Sequence, residues 1–463
     1  MPSAVQRYKR LLSAALARYF PHTTAYLRAE REAAVQLKKA APRAKKAASK
    51  GQSAGTRPPA NPRRAASKPR SQGIYGPAML TVEAAQAQAM REQVARAVTA
   101  GLLSAPSDEQ WAMILSNHPL TRIFAGAGSG KSTTLVLRVV FMFCHLGIKP
   151  EQLTVISFTN ASCAELREQL LKVLGFFNYP FDAAQARQSV RTFHSAMGSV
   201  AKSLLNNPRW FEQLDDPQAA SRELDNPLSA GRLRPAQQRL LKQAYQQCYA
   251  EQLEFRQRVH SLLQLPLPPA ESKRLPKAPL DAYKLSGEFS AAPLYEAFYA
   301  QAGFAESIGV ELSTMQPQRL DTAIPVREFL EALLLFWPYF QRALQEQGLL
   351  TFNAAFAQLT ARLNADGQGV AASLLAPFSH LLIDEFQDIS PQIVQWLQAV
   401  QRTLAGQGAT VSLMAIGDDW QSIYGWRGSS PELFIDFDRH FPGKGRAKRS
   451  AVLTLANNYR SIE

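Results

Sequence analysis

Cysteine, long apolar runs and, over one long N-terminal stretch, acid are what this chain of 463 residues has least of. Its three cysteines, Cys144, Cys163 and Cys248, are too few and too scattered for a disulfide framework or a zinc site. Cys144 and Cys163 sit among apolar neighbours and are expected as buried thiols in a reducing compartment. No apolar run approaches the ~18 residues that a membrane-crossing helix needs. Leu135 to Ile148 is broken by Arg138 and His145, and Phe329 to Phe340 by Glu331 and Pro338. The N-terminus lacks an apolar core ahead of a small-residue cleavage site, so no secretory signal is expected. No internal repeat is found. What remains, 46% hydrophobic and 19% charged, predicts a globular protein long enough for two to four domains.

Acid is missing where base is concentrated. Lys38 to Arg70 holds 11 basic residues and no acid, so most of the formal net charge of +15 lies in one stretch. Such a stretch implies a polyanionic partner. It carries no aromatic residue, which predicts contact with phosphates and no reading of bases; a solubilising or targeting role is the alternative. Rich in Ala, Lys, Arg, Pro, Ser and Gly, residues 38–77 bury too little apolar surface to fold and are expected as a disordered linker. Ahead of it, Val5, Tyr8, Leu11, Leu12, Ala15, Leu16 and Tyr19 fall at helical spacing, so residues 1–37 are expected as a small helical appendage. The same Arg-rich, acid-poor start also has the character of a mitochondrial presequence.

From about Leu102 onward, short apolar strands alternate with helical stretches, and polar motifs follow the strands. Strand candidates are Arg122 to Phe124, Leu153 to Phe158, Val190 to Phe193, His380 to Ile383 and Val411 to Ile416. An open parallel α/β sheet puts its ligands at the carboxyl ends of such strands. After the first comes Ala-Gly-Ala-Gly-Ser-Gly-Lys-Ser, Ala125 to Ser132. Backbone N–H groups of Gly126, Ala127, Gly128, Ser129 and Gly130 can curl round phosphates at the positive end of a helix. Lys131 would neutralise the β- and γ-oxygens, and the Ser132 hydroxyl would ligate Mg²⁺, with Thr133 beside them. After the fourth come Asp384 and Glu385, where Asp384 would hold Mg²⁺ through its water shell and Glu385 would deprotonate an attacking water. A Gly-rich turn with a chance Gly-Lys-Ser and a solvated acid pair are the plain alternatives. Residues 199 to 345 read as mostly helical, an insertion into the α/β domain.

The ordered set adds Thr192-Phe193-His194, Gly417-Asp418-Asp419-Trp420-Gln421 running on to Trp426, Arg427 and Gly428, and Asn458-Tyr459-Arg460-Ser461. Together these resemble the UvrD/Rep-like superfamily 1 DNA helicases over about Leu102 to Glu463, roughly the N-terminal half of a typical relative. The resemblance implies a RecA-like P-loop NTPase domain over 78–198 and 346–450, with a helical subdomain over 199–345. It also implies the start of a second RecA-like domain over 451–463. Gln110 resembles the adenine-reading glutamine, and Gln421 would sense the γ-phosphate. Phe158, Asn160, His194, Tyr424, Trp426 and Arg427 would meet the nucleic acid. Tyr459 would pack on adenine, and Arg460 would reach the γ-phosphate. The chain departs from the pattern in three places: Thr133 stands where many relatives carry Arg, and Thr351 and Asn353 stand where they carry acids.

The implied function is an ATP- and Mg²⁺-dependent DNA helicase or translocase, moving 3′ to 5′ on single-stranded DNA or at a single/double-strand junction. Its expected setting is a bacterial cytoplasm, in association with the nucleoid. A nucleotide- and DNA-binding module without efficient turnover is the alternative, and a P-loop ATPase acting on something other than nucleic acid a third. Ser461 resembles the cap of a helix that does not follow, so a truncated product lacking the later motifs is expected.

Overall fold

The computed structural model describes residues 73–459, apart from 127, 220–221, 226–232, 268–276, 286–290, 419–420 and 422–427. The expected appendage and nearly all of the basic stretch lie outside the described residues, as do Ala127, Tyr424, Trp426, Arg427 and Arg460. The described chain forms two compact units, one made of 239–302 with 311–343 and the other of the remainder.

The larger unit is built on six strands, β1 (Leu120–Ala125), β2 (Leu153–Ser157), β3 (Val190–Thr192), β4 (His380–Ile383), β5 (Ser412–Gly417) and β6 (Ala451–Leu455). Their order is β6-β1-β5-β4-β2-β3 and every pair is parallel. The central strands are apolar without interruption because both faces are covered. Alternation then divides them between two cores. Leu381, Ile383, Leu413 and Ala415 face a cluster that includes Phe356, Phe378 and Trp396. Leu382, Met414 and Ile416 face Leu135, Val139 and Phe143 on the other side.

The helices that matter for the site are α1 (Ala84–Thr99), α2 (Asp108–Ile114), α3 (Lys131–Cys144), α4 (Asn160–Phe176), α5 (Ala183–Ser189) and α6 (Phe193–Leu204). Residues 134–143 of α3 are buried throughout, Arg138 included, so this is an interior helix. No described helix is long and apolar enough to cross a membrane.

The smaller unit is helical, and its core is aromatic. Phe298 lies 4.9 Å from Phe329 and 5.5 Å from Phe336, centroid to centroid, and Tyr245 meets Phe255 edge-on at 5.6 Å.

Three expected boundaries are corrected. Ile74 and Tyr75, inside the supposed 38–77 linker, are buried core residues. The Tyr75 hydroxyl donates to Gln401 Oε1. The helical unit is smaller than 199–345, because α6 runs on to Leu204 and residues 205–238 and 303–310 stay with the sheet unit. Residues 451–455 do not open a second domain: β6 pairs with β1 from Thr121↔Ala451 to Ala125↔Leu455 as an edge strand of the first sheet.

Candidate nucleotide-binding site

All six strands end on one side of the sheet, and the residues singled out above follow those ends. Beyond Ala125 the chain turns through Gly128 and Gly130, at φ +75° and +74°, into α3. That left-handed geometry, which glycine adopts without strain, lets successive N–H groups converge ahead of a helix N-terminus. Gly126 is exposed, with open space where a Cβ would be. Ser132, the proposed metal ligand, is exposed at the mouth of the turn, and Thr133 is half-buried.

Lys131 Nζ donates to Glu385 Oε1 at 3.0 Å, with both side chains partly buried. The base therefore occupies the lysine that a phosphate would take. Glu385 sits at φ +52°, a left-handed conformation that costs a non-glycine residue about 1–2 kcal/mol. Its N–H donates to Asp384 Oδ1 at 3.0 Å. Burial, then the neighbouring Glu385, pushes the Asp384 carboxyl up to about 6, with Lys131 opposing. Among the described residues no group of three or more His, Cys, Asp or Glu is placed to hold a metal. Mg²⁺, which keeps waters and binds through one or two protein oxygens plus phosphates, suits Ser132 and Asp384 without such a group.

Two residues of this edge were quoted in the sequence without a role. Gln387 Nε2 donates to Glu385 Oε2 at 2.7 Å while its Oε1 accepts from Asp418 N at 3.0 Å. Asp418 Oδ2 in turn accepts from Gln421 Nε2 at 2.8 Å. Lys131, Glu385, Gln387, Asp418 and Gln421 thus form one hydrogen-bonded chain. Asp388 is buried, with its carboxyl pushed up to about 7 by burial and then by Glu385, and its Oδ1 has no partner. Beyond Gly428 the chain is fastened to the same turn, Ser429 Oγ donating to Asp388 O at 2.6 Å.

Gln110 is the third residue of α2. Its Oε1 accepts from Ser107 N at 3.0 Å, and its Nε2 donates to Ser129 O at 3.1 Å. Its amide here braces the phosphate loop. Tyr459 is 58% exposed, and its N–H donates to Gly128 O at 2.9 Å, which sets an open aromatic ring beside the loop and Gln110.

The strand-contact candidates fare less evenly. Phe158 and Asn160 are half-buried. Asn160 Nδ2 donates to Glu223 O at 3.2 Å. Thr159 and Thr192 cap α4 and α6. His194 is corrected: it is 6% exposed, its ring packed 5.0 Å from Phe352 and 5.6 Å from Phe356. Burial lowers its pKa to about 3, so it is neutral and has no face on a bound strand.

Comparison with known proteins agrees with this geometry. The family model described as the UvrD/REP helicase N-terminal domain matches residues 107–442. The chain is 24% identical over 334 residues to DNA helicase IV of Escherichia coli (strain K12), covering 72% of this chain and 42% of that protein. It is 24% identical over 367 residues to DNA helicase II of the same strain, covering 78% and 39%. To ATP-dependent DNA helicase UvrD1 of Mycobacterium tuberculosis (strain ATCC 25618 / H37Rv) it is 26% identical over 357 residues, covering 77% and 37%. The chain thus spans about two fifths of the length of these relatives. With a six-stranded parallel sheet, a phosphate loop and an acidic pair at its carboxyl edge, and a family match over most of its length, the chain belongs to the UvrD/REP helicase family.

Proposed function

We propose that this chain carries the first motor domain of an ATP-dependent DNA translocase that moves 3′ to 5′ on single-stranded DNA. The observation that carries the reading is the Lys131–Glu385 pair at 3.0 Å, linked through Gln387 and Asp418 to Gln421. The relatives' names, DNA helicase II and IV among them, support the substrate class; the polarity rests on the family resemblance alone.

In this reading the entering triphosphate takes Lys131 away from Glu385. The freed Glu385 carboxylate accepts a proton from water. The water oxygen bonds to the γ-phosphorus, and the bond to the β,γ-bridging oxygen breaks, giving ADP and phosphate. Mg²⁺, held by Ser132 and Asp384, would supply charge neutralisation on the phosphates. Gln110 and Tyr459 flank the adenine, and Arg460 reaches the γ-phosphate. Gln421 registers the γ-phosphate and passes its presence into the segment carrying Tyr424, Trp426 and Arg427, on which the strand stacks. Phe158 and Asn160 line its path.

The test is phosphate release with and without oligo(dT). Stimulation by the strand supports the translocase; nucleotide binding with no release supports the alternative of a binding module without turnover. Trp426→Ala should weaken oligo(dT) binding by about 1–3 kcal/mol and leave nucleotide affinity near normal. A fall in melting temperature with unchanged strand affinity would assign Trp426 to a core.

A further inference from the structure

The opposite edge of the same sheet carries a second charged surface. Between the helix ending at His440 and β6, the chain reads Gly443-Lys444-Gly445-Arg446-Ala447-Lys448-Arg449. Lys444, Arg446, Lys448 and Arg449 are all exposed, and Ala447 between them is fully buried. Among the described residues none of the four has an ion-pair partner. The neighbouring acids on the preceding helical turns are Asp436 and Asp438, and Asp438 Oδ1 is occupied by Ser450 N at 2.7 Å.

The turn is rigid. Residues 73–77 lie against it, with Ile74 N donating to Pro442 O at 2.6 Å and Lys444 N donating to Tyr75 O at 2.7 Å. The two segments approach so closely that a Cβ on Gly443 would lie 1.7 Å from Ala447 O, and one on Gly73 2.4 Å from Gly443 O. Tyr75, wholly buried, anchors this strap. The four cations are therefore held on a fixed backbone, with little loop entropy left to lose on binding.

Position sets this surface apart from the nucleotide site. Ala451 pairs with Thr121 at the amino end of β1, whereas the phosphate loop follows Ala125 at its carboxyl end. A strand length of roughly 15–20 Å separates them. The chain that enters the fold at Gly73, beside Gly443, is preceded by the 11 cations of residues 38–70.

We propose that Lys444, Arg446, Lys448 and Arg449, with the basic stretch that joins the fold beside them, bind the backbone of a duplex DNA segment. The four cationic side chains supply phosphate contacts only. The turn offers no exposed aromatic, so it lacks the stacking platform that single strands use. Duplex DNA, with one charge per ~1.7 Å of axis, presents the denser phosphate array. The inference rests on DNA as the partner of the proposed translocase but not on nucleotide turnover.

The experiment uses the whole chain saturated with oligo(dT) and measures binding of a short mixed-sequence duplex across a salt series. Replacing the four residues together, Lys444→Gln, Arg446→Gln, Lys448→Gln and Arg449→Gln, should lower the log–log salt slope by about 0.9 per lost contact, up to about 3.6. Melting temperature, nucleotide-analogue affinity and oligo(dT) affinity should stay as they are. Should the fourfold variant fold poorly, Arg446→Gln and Arg449→Gln taken singly should each lower the slope by about 0.9. An unchanged duplex slope overturns the proposal, as does an equal loss for oligo(dT), which would assign the turn to the single-strand track. Tighter binding to phosphatidylserine vesicles than to duplex also overturns it. Absence of oligo(dT) binding by the unmodified chain, by contrast, strikes the translocase reading.

Discussion

The two edges of one sheet hold charge in opposite ways. At the carboxyl edge Lys131, Glu385 and Asp418 are each engaged by another protein atom, and Glu385 is held in a strained backbone conformation. At the amino edge Lys444, Arg446, Lys448 and Arg449 stand exposed without ion partners among the described residues. A charge stored against a competitor must change partner when a ligand arrives, and that exchange is what moves neighbouring groups. A free surface charge attracts without rearranging anything, and salt screens it. One edge is built to switch and the other to hold.

The comparison breaks most visibly at the base. Glu385→Gln should cut phosphate release by about 10²–10⁴-fold while nucleotide affinity persists, because only the proton acceptor is lost; release at the unmodified rate would remove Glu385 from the chemistry. Next is Lys131→Ala, expected to weaken binding of a fluorescent ATP analogue by about 10–150-fold, since charged hydrogen bonds are worth about 1.5–3 kcal/mol. Neither change should alter the salt slope of duplex binding at the other edge. Gly443→Ala attacks that edge through its backbone. The added methyl meets Ala447 O, and overpacking of this kind costs about 1–3 kcal/mol, readable as a lowered melting temperature with the analogue's affinity unaltered.

The smallest effect sharpens the comparison, since it concerns a carboxylate buried without a cation. Glu212 accepts from Phe352 N at 2.9 Å and its Oε2 has no partner. Burial drives its pKa from 4.5 up to about 8, and Glu306 adds to the rise. Below the unfolded value the group is protonated in both states. As pH rises the unfolded carboxyl ionises first, so stability falls until the folded group also ionises near 8, then levels off. Glu212→Gln should flatten denaturant-measured stability between about pH 5 and 8; Glu306, pushed to about 7, leaves a residual slope.

The sheet and the nucleotide edge were legible because their signals are local. Apolar runs such as His380-Leu381-Leu382-Ile383 mark a strand covered on both faces, and the glycines and acids that follow mark its functional end. What escaped depends on distant partners. Ile74 and Tyr75 stand in a Gly- and Pro-containing context that reads as linker, and only the position of Gln401 and Pro442 makes them core. β6 reads as a strand from its own residues, but nothing in them says that it pairs with β1. His194 follows a strand as a contact residue would, yet Phe352 and Phe356, far along the chain, enclose it. Gln387 lay within a quoted motif, and its bridging role appears only once Asp418 is placed opposite.

The strap at Gly73–Pro77 also sets an order of events. Tyr75 reaches its partner Gln401 across 326 positions of sequence, and its backbone pairs beside Gly443. During synthesis the strap cannot dock until the ribosome has released residues beyond 444, so it is among the last pieces of the sheet unit to settle. Until then the basic stretch trails from an unfastened end. Docking of Tyr75 converts that stretch from a wandering tether into one rooted at a fixed point on the molecule.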